Sequence, residues 1–179
     1  MIILQALYFA LPMYVANMAP VIMKSFPYFD KPIDGGVLLN GKPILGKNKT
    51  WRGVIFAILF ALAIVYIQQF LFKHTELFFN FSLFGYDRIE TLFLAVLLGF
   101  GAIFGDAVKS LFKRRLGKPS GTSWVPFDQI DFIVGGLAFG ALIYWPGWKI
   151  ALIILIATPF LHWLTNYVAF KLKIKDVPW

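Results

Sequence analysis

Cysteine is absent from the 179 residues, which excludes disulfides, a thiolate nucleophile and any zinc or iron–sulfur site built on Cys. Histidine is nearly absent: His74 and His162 each stand without a second His nearby in sequence, and neither is assigned a role. Charge is scarce too, at 15% of residues against 59% hydrophobic and 18% aromatic, with a mean hydropathy of +0.73. That balance excludes a soluble globular domain. Acids are the scarcest charged class, 9 against 17 Lys and Arg, and the bases sit in short clusters between long apolar stretches. Such a chain reads as an all-α integral membrane protein with basic loops.

A helix needs about 20 apolar residues to cross a hydrocarbon core of about 30 Å, so charges that interrupt apolar runs mark the span ends. Five spans are expected, over residues 1–23, 53–72, 91–112, 126–145 and 150–170, in a single transmembrane domain covering 1–179. No Lys or Arg precedes the first apolar run, so it is expected to be a retained span rather than a cleaved signal. The third is informative: the uncharged stretch Thr91 to Gly105 is too short to cross unless the helix continues through Asp106, which sets an acid inside the membrane region. Trp145-Pro146-Gly147-Trp148 reads as a tight turn joining spans four and five. Gly101 and Gly105, and Gly136 and Gly140, give small-residue helix faces suited to close packing.

Fourteen of the 17 bases fall on one side of this five-span arrangement, and only Lys73, Arg88 and Lys149 on the other. The positive-inside rule then sets the N-terminus outside, the C-terminus in the cytosol, and residues 24–52 and 113–127 as two cytosolic loops of a multi-pass cell-membrane protein. On this topology Asp106, Asp128 and Asp131 lie at similar depth near the cytosolic face. Asp128 and Asp131 share one helix face, and Asp106 shares another with Lys109, Ser110 and Lys113. Converging carboxylates repel unless a cation neutralises them, and an oxygen-only donor set favours Mg²⁺, with Mn²⁺ as the alternative. The plainer reading, a helix start at Pro126 and Asp128, leaves Asp106 unexplained, because intramembrane acids are costly.

Beside the acids stands Lys113-Arg114-Arg115-Leu116-Gly117-Lys118, and the first loop carries Gly46-Lys47-Asn48-Lys49-Thr50-Trp51-Arg52-Gly53. Either run serves as a headgroup anchor, but two glycine-bearing basic loops on the side of the acids better fit a phosphate-rich ligand. Gly41 to Asn48 is a near miss to a P-loop, rejected because Asn48 replaces the magnesium-binding hydroxyl.

The run Ser110 to Gly121, followed by Pro126-Phe127-Asp128-Gln129-Ile130-Asp131, resembles the signature of the membrane CDP-diacylglycerol synthases. It departs from the bacterial and eukaryotic pattern at Lys118-Pro119, at Asp128-Gln129 and in lacking the histidine. With the small size and the loop Lys47 to Gly53, it is similar over nearly the whole chain to the archaeal branch, the CDP-archaeol synthases. The resemblance implies transfer of a cytidylyl group from CTP to 2,3-di-O-geranylgeranylglycerol 1-phosphate, with release of pyrophosphate and Mg²⁺ as cofactor. It implies CTP and a lipid phosphate as partners, and no nucleic acid. On that footing Asp106, Asp128 and Asp131 hold metal, while Lys113, Arg114 and Lys118 neutralise the departing pyrophosphate. Lys49, Thr50, Arg52, Ser110 and Gly121 join Lys113, Arg114 and Lys118 in binding the nucleotide, with Lys49 and Arg52 alternatively gripping the lipid phosphate. Two other readings stand beside it: transfer to diacylglycerol phosphate, and a proton or cation transporter using the Asp cluster, against which the acids gather at one face instead of forming a path.

Overall fold

The computed structural model describes residues 1–119 and 122–171, apart from the Ala169 side chain. Its order is α1 (Ile2–Ile22), β1 (Leu38–Leu39), β2 (Lys42–Pro43), α2 (Trp51–His74), α3 (Glu76–Phe81), α4 (Thr91–Arg115), α5 (Phe127–Gly140) and α6 (Trp148–Lys171). Among the described residues four helices, α1, α2, α4 and α6, are long and apolar enough to cross a membrane. Among the described residues the regular structure is helical apart from a two-residue antiparallel pair within the first loop, Leu38 opposite Pro43 and Leu39 opposite Lys42, and an isolated antiparallel bridge between Pro32 and Thr50.

Small residues bring the helices together. Ala6, Ala10, Ala16 and Ala19 of α1 and Ala57 and Ala61 of α2 are fully buried, while the outer faces expose Phe70, Ile67, Phe160 and Trp163. In lipid, close backbone approach and van der Waals contact replace the hydrophobic drive that packs helices in water. The tightest crossing joins α4 to α5, where a Cβ on Gly135 would lie 2.1 Å from the Gly101 carbonyl oxygen. A Cβ on Gly105 would lie 2.2 Å from that of Asp131. Only glycine permits this approach, and it fixes Asp131 beside the residue that follows Gly105, namely Asp106.

Polar side chains bridge the helices at two places inside the bundle. Pro12 lacks the N–H that would bond the Tyr8 carbonyl, and the buried Gln68 of α2 supplies a donor instead, Nε2 to oxygen 2.6 Å. Tyr14 of α1 meets the fully buried Thr158 of α6 at 2.7 Å, and Thr158 donates to the Ile154 carbonyl at 2.6 Å.

Three boundaries differ from expectation. α5 ends at Gly140 rather than reaching 145, with turns over 141–143. Glycines 135, 136 and 140 weaken the helix, Pro146 disfavours helix at the residue before it, and the Tyr144 hydroxyl is tied to the Leu83 carbonyl at 2.5 Å. α4 continues to Arg115, so Lys113, Arg114 and Arg115 belong to the helix and not to the loop placed at 113–127. It stops at Gly117, whose φ of +73° lets the Gly117 and Lys118 amides close back on the Arg114 and Lys113 carbonyls at 3.1 and 3.0 Å. The third is the short helix α3, which follows α2 at Thr75 where a plain loop was expected.

Candidate active site

The site is built on the glycine crossing. Along α4, Asp106, Lys109 and Lys113 recur at three- and seven-residue spacing on one face, and the first turns of α5 present Asp128 and Asp131 to that face. The Lys109 ammonium lies at the centre, 3.0 Å from Asp106 Oδ1, 2.9 Å from Asp128 Oδ1 and 2.7 Å from Asp131 Oδ2. Lys113 Nζ stands 3.0 Å from both oxygens of Asp128 and donates to the Thr122 carbonyl at 2.5 Å. Lys49, reaching across from the first loop, pairs with Asp106 Oδ2. Three carboxylates therefore meet three ammonium groups, which is what lets so many charges be withdrawn from water at once. Backbone amides complete the set: Trp124 N–H donates to Asp128 Oδ2 at 2.5 Å, and Phe132 N–H to Asp131 Oδ1 at 2.7 Å.

The first loop, tied to this cluster through Lys49, is folded against the end of α4. Asp34 accepts from the Gly36, Leu45 and Gly46 amides at 3.0, 2.8 and 3.3 Å. Partial burial pushes its carboxyl upward, but these amides outweigh burial and hold it below the ordinary carboxylate range. Arg115, from the end of α4, grips the β1–β2 hairpin through the carbonyls of Leu39 (2.7 Å), Lys42 (3.2 Å) and Pro43 (2.7 Å). The loop and the end of α4 thus lie at one end of the bundle.

Alongside the cluster, between α4 and α5, runs a cavity of about 560 Å³ lined by Phe104, Val108, Phe112, Trp124, Phe127, Ile130, Val134 and Phe139. Its polar lining is Lys109 and Asp131. An open apolar groove with a cation and an acid in its lining suits an amphiphile with a charged head.

The expected site residues divide into two groups. Asp106, Asp128, Asp131, Lys49 and Lys113 converge on one centre. Others have local partners: Thr50 Oγ1 caps α2 through the Gly53 amide at 3.3 Å, Ser110 donates to the Asp106 carbonyl at 2.8 Å, and Arg52 donates to the Phe26 carbonyl. Lys118 sits 6.0 Å from the Trp124 ring centroid. Arg114 is buried with its Nε unbonded, and no carboxylate among the described residues pairs with it. Gly121 lies outside the described residues. Sequence reasoning missed Lys109 as the hub, although its three-residue spacing from Asp106 was the available signal, and it missed the loop anchors Asp34 and Arg115.

The donor set fits a hard divalent cation in chemistry. It is all oxygen, and Asp131 Oδ2 is buried and outside hydrogen-bond geometry although its charge is paired. Among the described residues no three acid or imidazole groups stand as a ready metal cage; the Lys109 ammonium holds the shared centre.

A family model described as CarS-like, CDP-archaeol synthase, matches residues 1–179. The chain belongs to the CDP-archaeol synthase family. Relatives named CDP-archaeol synthase include that of Thermococcus onnurineus, 38% identical across 99% of this chain and 97% of that one. The relative from Methanocaldococcus jannaschii is 37% identical across 97% and 96%. A solved structure of an intramembrane enzyme for archaeal membrane lipids biosynthesis superposes with a TM-score of 0.74 at 28% identity, covering 92% of this chain and 94% of that one. In this family the α4–α5 cluster, buried at one end of a bundle of apolar helices, is the feature to explain.

Proposed function

We propose that the α4–α5 cluster is where the family's reaction takes place in this chain. The chain is an enzyme, a CTP-dependent cytidylyltransferase that converts 2,3-di-O-geranylgeranylglycerol 1-phosphate and CTP to the CDP-activated ether lipid and pyrophosphate. One observation carries the assignment of the site: the buried acid–lysine cluster forms the polar end of the apolar α4–α5 cavity, so a lipid chain and a phosphate are accommodated by one continuous space.

The acceptor phosphate is already an anionic nucleophile. Its oxygen attacks the α-phosphorus of CTP, a new P–O bond forms as the α–β bridge breaks, and the electron pair leaves with pyrophosphate. Such a reaction asks the protein for positioning and charge neutralisation, not for a covalent intermediate. Asp106, Asp128 and Asp131 would hold Mg²⁺, which when bound supplies positive charge to the reacting phosphates. Lys113, Arg114 and Lys118 offset the charge on the departing pyrophosphate. Lys49, on the loop that Arg115 and Asp34 hold in place, and Arg52, in the first turn of α2, close over the nucleotide.

The same reading sets α5 and the turn after it as a fifth crossing, with the N-terminus outside and the C-terminus, the loop over 24–52 and the segment joining α4 to α5 in the cytosol. The fourteen-to-three charge distribution supports it, as does the grip of Arg115 on the first-loop hairpin, which brings both basic segments to one end. Soluble CTP then meets a membrane-resident acceptor at headgroup level.

The test supplies the purified chain with radiolabelled CTP, Mg²⁺ and either the ether-linked isoprenoid acceptor or diacylglycerol phosphate. Label entering the isoprenoid lipid with stoichiometric pyrophosphate is expected. Label entering only the ester lipid, or cation flux in vesicles without nucleotide, would overturn the reading.

A further inference from the structure

Lys109 stands among the three acids assigned to the metal, and it also faces the apolar cavity. Its ammonium is within 3.0 Å of an oxygen from each of the three acids, and it is the one cation among the residues that line the cavity. A divalent ion bound by the same three oxygens competes with the ammonium for their lone pairs, and the two like charges repel at contact distance. Lys49 and Lys113 approach from the periphery: Lys49 meets Asp106 through Oδ2, the oxygen that Lys109 does not use, and Lys113 is also anchored on the Thr122 carbonyl. Lys109 and Lys49 bond carboxylates without a backbone anchor, and of the two it is Lys109, on its flexible four-carbon stem, that lines the cavity, so it is the group placed to move from the acids to that space. Away from the acids, the apolar walls of the cavity offer it one kind of partner, the anionic head of a lipid lying in that space.

We propose that Lys109 is an exchangeable counter-cation: it neutralises the acid trio before metal arrives, yields that centre to the divalent ion, and then presents its ammonium to the acceptor's phosphate at the polar end of the cavity. Metal loading and acceptor capture are thereby coupled, since the same ammonium cannot serve both partners. This rests on the assignment of Asp106, Asp128 and Asp131 to a divalent cation.

The experiment uses the full chain in detergent without nucleotide, with Mn²⁺ as the probe and its free concentration read by electron paramagnetic resonance. Lys109→Met removes the ammonium that metal must displace, so the variant is expected to bind Mn²⁺ about ten-fold or more tightly than the wild type. Its melting temperature, lowered in metal-free buffer, should rise further with Mn²⁺ than that of the wild type. In turnover, KM for the lipid acceptor should increase about ten-fold or more while KM for CTP stays within about two-fold. Lys109→Gln is carried in parallel and decides the matter if the methionine variant does not fold. Wild-type or weaker Mn²⁺ affinity in both variants, or an unchanged acceptor KM, overturns the exchange. Asp131→Asn separates the two levels. If it weakens Mn²⁺ binding while the Lys109 variants do not tighten it, the exchange alone fails; if it leaves Mn²⁺ binding unchanged, the metal assignment itself fails.

Discussion

Alanine at position 105 adds a single methyl group where the structure has no room for it. The new Cβ would sit 2.2 Å from the Asp131 carbonyl oxygen and 3.1 Å from the Gly135 Cα, both backbone atoms of α5. Restoring an ordinary contact of about 3.5 Å means parting α4 from α5 by about 1 Å at the residues that carry Asp106 and Asp131. Overpacking of this kind costs about 1–3 kcal/mol in stability, and a misplacement of about 1 Å in a reacting site costs about 10²-fold in rate. Gly105→Ala should therefore lower the melting temperature, read by native tryptophan fluorescence in detergent, and depress cytidylyl transfer by about two decades. Gly140→Ala is the control, because its Cβ meets the movable Leu98 Cδ2 at 2.7 Å, near the far end of α5 from the acids. Its turnover should stay within about three-fold of wild type. If Gly105→Ala is as active and as stable as wild type, the glycine crossing does not set the site geometry.

Other consequences are more local. Lys113→Met should weaken use of CTP by about one to two decades, since a charge-assisted phosphate contact is worth about 1.5–3 kcal/mol, whereas Lys171→Met on the exposed end of α6 should change kcat/KM little. Equal small effects at both positions would favour simple headgroup anchoring. Arg115→Met should loosen the β1–β2 hairpin and raise amide hydrogen exchange across 38–45 with little change at the α4–α5 crossing. For Asp34, the folded carboxyl titrates below its unfolded value of about 3.9, so its support for the loop is fully present above that value and is lost as pH falls through the folded one. Exchange at the Leu45 amide should thus stay slow at pH 5 and in wild type quicken only in stronger acid, while Asp34→Ala shows it fast throughout. Gln68→Leu strands the Tyr8 carbonyl inside the bundle and should cost about 1–3 kcal/mol of stability, with the acceptor and CTP KM values unchanged.

The long apolar helices were legible because the bilayer imposes a length that few other constraints imitate, and the glycine pairs advertised close packing in the same way. Their partners were not legible. Gly105 meets the Asp131 backbone and Gly136 meets Met13 of α1, pairings set by how the helices cross and not by any local pattern. The acids were found because isolated carboxylates in an apolar run have few structural excuses. The lysine among them was passed over because Lys beside a membrane edge is common, and its role depends on the approach of α5. Asp34 and Arg115 escaped for a related reason: each bonds backbone groups, and any residue type supplies a backbone amide or carbonyl. The end of α5 at Gly140 depended on a tertiary bond, Tyr144 to the Leu83 carbonyl, that sequence spacing does not contain.

The account stands most directly on the acids acting as one reaction centre. Asp106→Asn, Asp128→Asn and Asp131→Asn each keep shape and remove charge, and the measurement is the initial rate of label transfer from CTP to the isoprenoid lipid phosphate as Mg²⁺ is varied. Each variant, eluting as a single folded species, is expected to lose transfer or to require far more Mg²⁺ for it. Normal turnover with normal magnesium dependence in all three would make these carboxylates structural and contradict the assignment.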